Sequence, residues 1–351
     1  MSSLPSPNIA PNVETGLLTG SSSQEGLQNH PMEADSTASD ASDDHGIGDD
    51  LSTYTASLAS TVSDYQYENG RRYNGYRRGN YVFPNDQQEI ERLHLQHHMI
   101  SVLFSGRLHW APIDPNPQRI LDIGTGTGSW AVDIADMYPS AHVIGTDLSP
   151  IQSHWVPPNL VYEIDDAESE WTYKRDSFDL VHTRFLTGAF ADWPKFTERS
   201  FRALKPGGWI ECQEIESRIL SDDGTLPPDS ALAKWSQLLI EAAETYGRSV
   251  MAAAKLADWM EDAGYVNVTN RCFKIPNNAW PKNPKMKEVG MYQMVNFLDG
   301  LQALTMALFT RALRWTAAEV ESFLVEVRKD IKNKHIHSYT NFYVAYGQKP
   351  E

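Results

Sequence analysis

Arg119-Ile120-Leu121-Asp122-Ile123-Gly124-Thr125-Gly126-Thr127-Gly128-Ser129-Trp130 reads as a buried strand, a glycine turn and the start of a helix. Ile120, Leu121 and Ile123 are the apolar, partly β-branched residues that a strand in a parallel sheet requires. Three glycines follow at every second position, so the backbone can turn sharply and approach a ligand. From Ser129 onward, Ala131, Ile134 and Ala135 fall at helical spacing. A ligand across the turn meets free backbone N–H groups at a helix N-terminus.

The identity of that ligand follows from the side chains around the turn. A dinucleotide fingerprint, G-x-G-x-x-G, needs glycine at its sixth position. Here that position is Ser129, and no Gly-Lys-Ser/Thr closes the turn as a P-loop would. Asp122 on the strand side repels a pyrophosphate, yet a carboxylate accepts hydrogen bonds from an ammonium. S-adenosylmethionine carries an α-amino group and a sulfonium and no phosphate, so it suits this loop better than NAD or ATP.

The chain has 351 residues, room for one large domain or two small ones. Its 41% hydrophobic content suffices for a core. There is no apolar run long enough for a transmembrane helix and no basic, apolar leader at the N-terminus. Cys212 and Cys272 form neither a metal-ligand spacing nor a disulfide framework, which points to a reducing compartment and to packing roles for both. The net charge of −16 is unevenly spread. Residues 1–70 hold 11 acidic residues and no Lys or Arg, leaving 35 acidic against 30 basic in the rest. That near balance argues against a broad basic surface for nucleic acid.

Residues 1–65 are rich in Ser, Thr, Pro, Gly, Asn and acid, with apolar residues sparse and without period. Such a segment cannot bury enough surface to offset its ordering entropy, and a disordered acidic tail is expected. Residues 66–118 are read as a strap or lid with a helix. In Tyr65–Tyr81, Arg and Tyr interleave, which fits a lid or strap better than a nucleic-acid arm. Pro84-Asn85-Asp86 opens a helix, with Asp86 as cap and Glu89 three residues on. His94, His97 and His98 lie on that helix, and no second cluster makes them a metal site.

The core domain, residues 119–351, reads as strands alternating with helices, an α/β class with a doubly wound, mostly parallel sheet. Strand two is His142–Thr146, ending at Asp147, which stands 19 residues past Gly128, near the spacing at which an acidic residue meets ribose hydroxyls. Strand three is Leu160–Ile164, followed by Asp165-Asp166-Ala167, and strand four is Phe178–His182. Leu204–Gly208 reads as a turn before strand five, Trp209–Gln213. Helices over 230–263 precede strand six, Tyr265–Ile275, and the last strand is Thr340–Gly347. Between these two strands lies a helical insertion at about 284–335. One helix places Met294, Phe297, Leu298, Leu301, Leu304 and Leu308 on a face, and the next is capped by Thr316 with Glu319 completing a box. The insertion suits a substrate pocket or a partner face equally.

Asp-x-Gly-x-Gly-x-Gly at Asp122–Gly128 resembles the nucleotide loop of class I methyltransferases, and Leu-x-Pro-Gly-Gly at Leu204–Gly208 is a second hallmark of that superfamily. Glu68-Asn69-Gly70-Arg71, Tyr76-Arg77-Arg78-Gly79, Pro84-Asn85-Asp86, Asp147-Leu148-Ser149-Pro150-Ile151-Gln152 and His335–Tyr339 narrow the resemblance to fungal LaeA-like methyltransferases, from about Tyr67 onward. It implies a Rossmann-like, seven-stranded class I sheet, S-adenosyl-L-methionine as cofactor, velvet-type regulatory proteins as partners, and a cytoplasmic or nuclear location. It also implies that Asp166-Ala167 receives the adenine amino group. The candidate cofactor-binding residues are Asp122, Gly124, Thr125, Gly126, Gly128, Asp147, Leu148, Asp166, Ala167 and His182. Methyl transfer from a sulfonium needs chiefly positioning. His182, Glu214 and Glu216 stand at strand ends, and no general base is assigned. A regulator of fungal secondary metabolism or development working through protein partners, a biosynthetic enzyme acting on a small metabolite, and a cofactor-binding module with little turnover all fit the residues.

Overall fold

The computed structural model describes residues 65–76, 83–153 and 155–351. The tail reading falls, Tyr65 apart, outside these residues, as does the Arg/Tyr stretch from 77 to 81. The described chain opens with a hairpin of β1 (Gln66–Glu68) and β2 (Arg71–Tyr73). Asn69 and Gly70 both take positive φ, 50° and 77°, the requirement of a two-residue turn matched to strand twist. The arginines of this hairpin turn inward. Arg71 forms a bidentate pair with Asp86, at 2.6 and 2.9 Å, and Arg72 donates to Asn85 Oδ1 at 3.0 Å. Those contacts engage both arginines of the hairpin within the chain.

Helix α1 (Gln87–Phe104) starts at Asp86, whose carboxylate accepts from Glu89 N, a cap worth about 1 kcal/mol. Its buried face mixes Met99, Ile100, Leu103 and Phe104 with Glu89 and Gln96. Simple apolar periodicity does not reveal such a face.

Seven strands form the central sheet. They are β3 (Arg119–Ile123), β4 (His142–Asp147), β5 (Leu160–Ile164), β6 (Phe178–Arg184), β7 (Leu204–Leu220), β8 (Val266–Pro276) and β9 (Tyr339–Gln348). Their order is β5-β4-β3-β6-β7-β9-β8, with β3 to β7 parallel and β9 antiparallel to both neighbours. Crossovers put α2 (Ser129–Met137) and α3 (Trp193–Ala203) between parallel strands. Ile120, Leu121, Leu180, Val181 and Ile210 are fully buried, as central strands covered on both faces must be.

Three features depart from the sequence reading. Leu204–Gly208 is the opening of β7 rather than a free turn: Leu204 pairs with Phe178, and Gly207, at φ 76°, lies in an irregular stretch before regular pairing resumes at Trp209. The strand also continues to Leu220, 17 residues in all, so Glu214 and Glu216 lie inside it. Cys212 is buried, but Cys272 is exposed on β8 and has no packing role of the kind expected.

After β7 come α4 (Ala231–Tyr246), α5 (Leu256–Asp262) and β8. The insertion comprises α6 (Pro284–Arg311) and α7 (Ala317–Lys332), whose Thr316–Glu319 capping box is formed on both sides. Leu232, Trp235 and Leu239 of α4 join Phe297, Leu301 and Val320 in a separate apolar core. No helix among the described residues is long and apolar enough to cross a membrane.

Candidate functional site

A cleft of about 1070 Å³ of empty space, mouth included, lies at the carboxyl ends of β3, β4 and β6. Ligands sit at strand carboxyl ends in such sheets because the crossovers leave a crevice there. Asp122, Gly124, Thr125, Gly126, Asp147, Leu148, Asp166, Ala167 and His182 all line it. Gly128 does not. It is the αL residue ahead of α2, and its α-carbon faces the Tyr162 hydroxyl.

Each acidic residue is held by a neighbour. Asp147 uses both oxygens, Oδ2 accepting from Gly126 N at 2.8 Å and Oδ1 from Ser149 N at 2.9 Å. It therefore ties the glycine loop to the β4 turn, and burial pushes its pKa up to about 6. Asp122 accepts from Thr125 Oγ1 and faces His182 Nδ1, both at 2.7 Å. The His182 ring stacks on Trp130 with centroids 3.6 Å apart. Burial outweighs Asp122 and lowers the His182 pKa, so the imidazole is neutral, donates Nδ1–H to Asp122 and leaves Nε2 as a buried acceptor without a partner. Asp166 accepts from Glu168 N and Ser169 Oγ, shaping its own turn.

Sequence reading missed Arg184 and His97 as cleft residues. Arg184, the last residue of β6, reaches His97 Nδ1 at 2.7 Å, and His97 Nε2 lies 2.9 Å from Asp133. Burial pulls the Arg184 pKa down to about 10, and no carboxylate among the described residues stands at ion-pair distance from it. An arginine closing the strand two residues past His182 was the available signal. His94 and His98 turn elsewhere, to Ser129 and to the Tyr292 ring.

The cleft is thus a carboxylate-rimmed site with one cation on its floor. Phosphate is repelled by that rim. A ligand with positive charge, vicinal hydroxyls and one carboxylate finds complementary groups, and S-adenosylmethionine has all three.

A second cavity of about 980 Å³, mouth included, adjoins the first. Leu93, Gln96 and Phe185 line both. Phe185 holds φ 59°, a conformation costing a bulky residue on the order of 1–3 kcal/mol. Its N–H bond to Gln213 O and its ring contact with Phe342 keep it there, at the partition between the two spaces.

Comparison with known proteins agrees with this architecture. A methyltransferase-domain profile matches residues 95–270. Methyltransferase pytC of Aspergillus terreus is 43% identical over 302 residues, covering 86% of this chain and 93% of that protein. Secondary metabolism regulator LAE1 of Cochliobolus heterostrophus is 39% identical over 290 residues, 81% of this chain and 94% of that one. Protein-methionine methyltransferase laeA of Emericella nidulans is 34% identical over 294 residues, 83% and 78% respectively. With the loop, the seven-stranded sheet and these relatives in agreement, the chain belongs to the LaeA-like family of fungal class I methyltransferases.

Proposed function

We propose that the cleft binds S-adenosylmethionine and that the adjoining cavity holds the methyl acceptor. The observation that carries this is the shared partition of Leu93, Gln96 and Phe185, across which an acceptor in one space would lie next to a cofactor in the other. The cofactor supplies an electrophilic methyl on a sulfonium. Asp147 would accept from the ribose hydroxyls beside Leu148, and Asp166-Ala167 would meet the adenine edge. Gly124, Thr125 and Gly126 would bring the backbone close. Asp122 and His182 Nε2 would face the ammonium, and Arg184 the carboxylate. Gly128 would act through the loop's shape. Calorimetric titration with S-adenosylmethionine and S-adenosylhomocysteine tests the reading: micromolar binding supports it, and no heat from folded protein removes it.

Two variants sharpen the assignment. Arg184→Met should weaken S-adenosylmethionine binding by about 1.5–3 kcal/mol, the range for hydrogen bonds to charged groups. The same change should leave the affinity for adenosine unaltered, and equal losses on both ligands would move Arg184 away from the carboxylate. For Asp147, the acceptor form is the carboxylate. Affinity should therefore rise as pH increases through about 6 and then level off, and Asp147→Asn should flatten that profile. A wild-type profile already flat from pH 5 to 8 would leave Asp147 only its loop contacts.

A second reading is a regulator acting through velvet-type or other protein partners with little turnover. Met291 and Val295, one turn apart on α6, are exposed and offer an apolar contact. Loss of a stoichiometric co-purifying protein on Met291→Glu would favour it, and unchanged co-purification would count against this face.

A further inference from the structure

The second cavity has an unusual wall. Trp235, Leu239, Val250, Phe297 and Leu308 make most of it apolar. At one end, Glu89 and Arg92 form a bidentate pair at 2.6 and 2.9 Å, and Arg92 also donates to Asn296 Oδ1 at 2.7 Å. Asn296 in turn donates to Gln293 at 2.9 Å. The charges in this group cancel, so the chamber suits an uncharged, mostly apolar small molecule with a few polar groups.

Thr187 also lines this chamber, two residues past the Phe185 partition. Behind it lies Glu214, fully buried in β7 and outside both cavities. Glu214 Oε2 accepts from Thr187 N at 2.8 Å and from Thr187 Oγ1 at 3.1 Å, while Oε1 accepts from Thr183 Oγ1 at 3.1 Å. With its own proton committed to Oε2, Thr187 Oγ1 presents lone pairs toward the chamber.

Resting on the methyltransferase reading above, we propose that Thr187 and Glu214 form a proton relay for an acceptor whose nucleophile is a protonated oxygen, a phenol, enol or alcohol on a small apolar molecule. As the acceptor oxygen bonds to the methyl carbon, the carbon–sulfur bond breaks with its pair kept by sulfur. The acceptor proton passes to Thr187 Oγ1, whose own proton moves to Glu214 Oε2. A thioether nucleophile has no proton to lose and would leave the relay idle.

The electrostatics around Glu214 fit a proton sink. Burial pushes its pKa up to about 7 against the hydrogen bonds from Thr183, Leu186 and Thr187 that favour the anion, so it can take a proton at neutral pH. The charged and titratable neighbours are few. On β6, Arg184 feels the Glu214 charge. On β7 the Cys212 thiol is pushed far up and stays neutral. Across on β9, Tyr343 stands opposite in register and directs its hydroxyl to Glu216 instead.

The test uses the full chain, tritiated-methyl S-adenosylmethionine and an extract of fungal metabolites, with products split into organic-soluble and acid-precipitated protein fractions. Wild type is expected to label the organic fraction at a rate that rises with pH through about 7. Glu214→Gln and Thr187→Val should lose roughly 100-fold or more and lose that pH dependence, while Thr187→Ser recovers it. Cofactor affinity by calorimetry and melting temperature should stay near wild type in all three. Infrared titration of the protein without cofactor gives a second readout: a buried carboxyl band that titrates near pH 7 in wild type and is missing in Glu214→Gln. Undiminished transfer in both variants, a flat wild-type profile, label confined to the protein fraction, or no label from a protein that binds cofactor would each overturn the relay. Failure of wild type to bind S-adenosylmethionine would be seen first, in the calorimeter, and would remove the functional reading and the relay together.

Discussion

Gly126→Val should lose at least about 100-fold in S-adenosylmethionine affinity, roughly 2.8 kcal/mol, and still fold. Both backbone groups of Gly126 are already engaged. Its N–H donates to Asp147 Oδ2 at 2.8 Å, and its carbonyl accepts from Gln152 Nε2 at 2.6 Å. A Cβ added there would meet only Leu93 Cδ1, at 3.7 Å, because this side of the residue faces the cleft. A valine would therefore project into the space reserved for ligand. Its φ of 58° adds a backbone penalty of about 1–2 kcal/mol, a fall in melting temperature of roughly 2–8 °C. Calorimetry and thermal melts separate the two effects. Unchanged affinity would take this loop out of the site.

Gly128→Ala should do the reverse, damaging the fold before the ligand. An added Cβ would overlap the hydroxyl and ring edge of Tyr162, and φ is 82°. Tyr162 cannot simply swing away, because its hydroxyl donates to Gly128 O at 3.3 Å and its ring packs beside Gly145. Overpacking and αL strain together should cost about 3 kcal/mol, a loss of roughly 6–12 °C in melting temperature. A double variant with Tyr162→Ala should recover the packing share and leave the backbone share. No recovery would place the whole cost in the φ angle.

The two glycines show what a sequence can reveal about this site. Alternating glycines after an apolar strand announce a loop, and Asp147 announces its partner by distance along the chain. Both depend on local backbone geometry, so both were legible. The strand limits of β3 and β5 and the Thr316 box were legible for the same reason. Which glycine faces the cleft and which faces Tyr162 depends on the neighbouring strand, and no local pattern records that. Arg184 was hidden because one cation at a strand end looks like a solvated terminus until His97 of α1 is brought beside it. The polar end of the second cavity was hidden more deeply. Arg92 and Asn296 are 204 residues apart, and each alone reads as the polar side of an amphipathic helix. The length of β7 was missed because Glu211, Gln213, Glu214 and Glu216 imitate a solvent-facing end, whereas all four are buried.

The position of β9 also bears on how the chain emerges from the ribosome. Among the described residues β8 pairs with no strand but β9, and the two are separated by α6 and α7, about sixty residues. At roughly 5–20 residues per second, β8 waits about 3–12 s for its only partner. During that interval the edge of β7 is also open, and α6, which lines the second cavity, is already made. The cofactor half of the sheet, β3 to β7, has no such wait. Cells short of chaperone capacity should therefore accumulate nascent chains with a formed first cleft and an unsealed second cavity, and expression at lower temperature should raise the soluble yield by relieving that one late step.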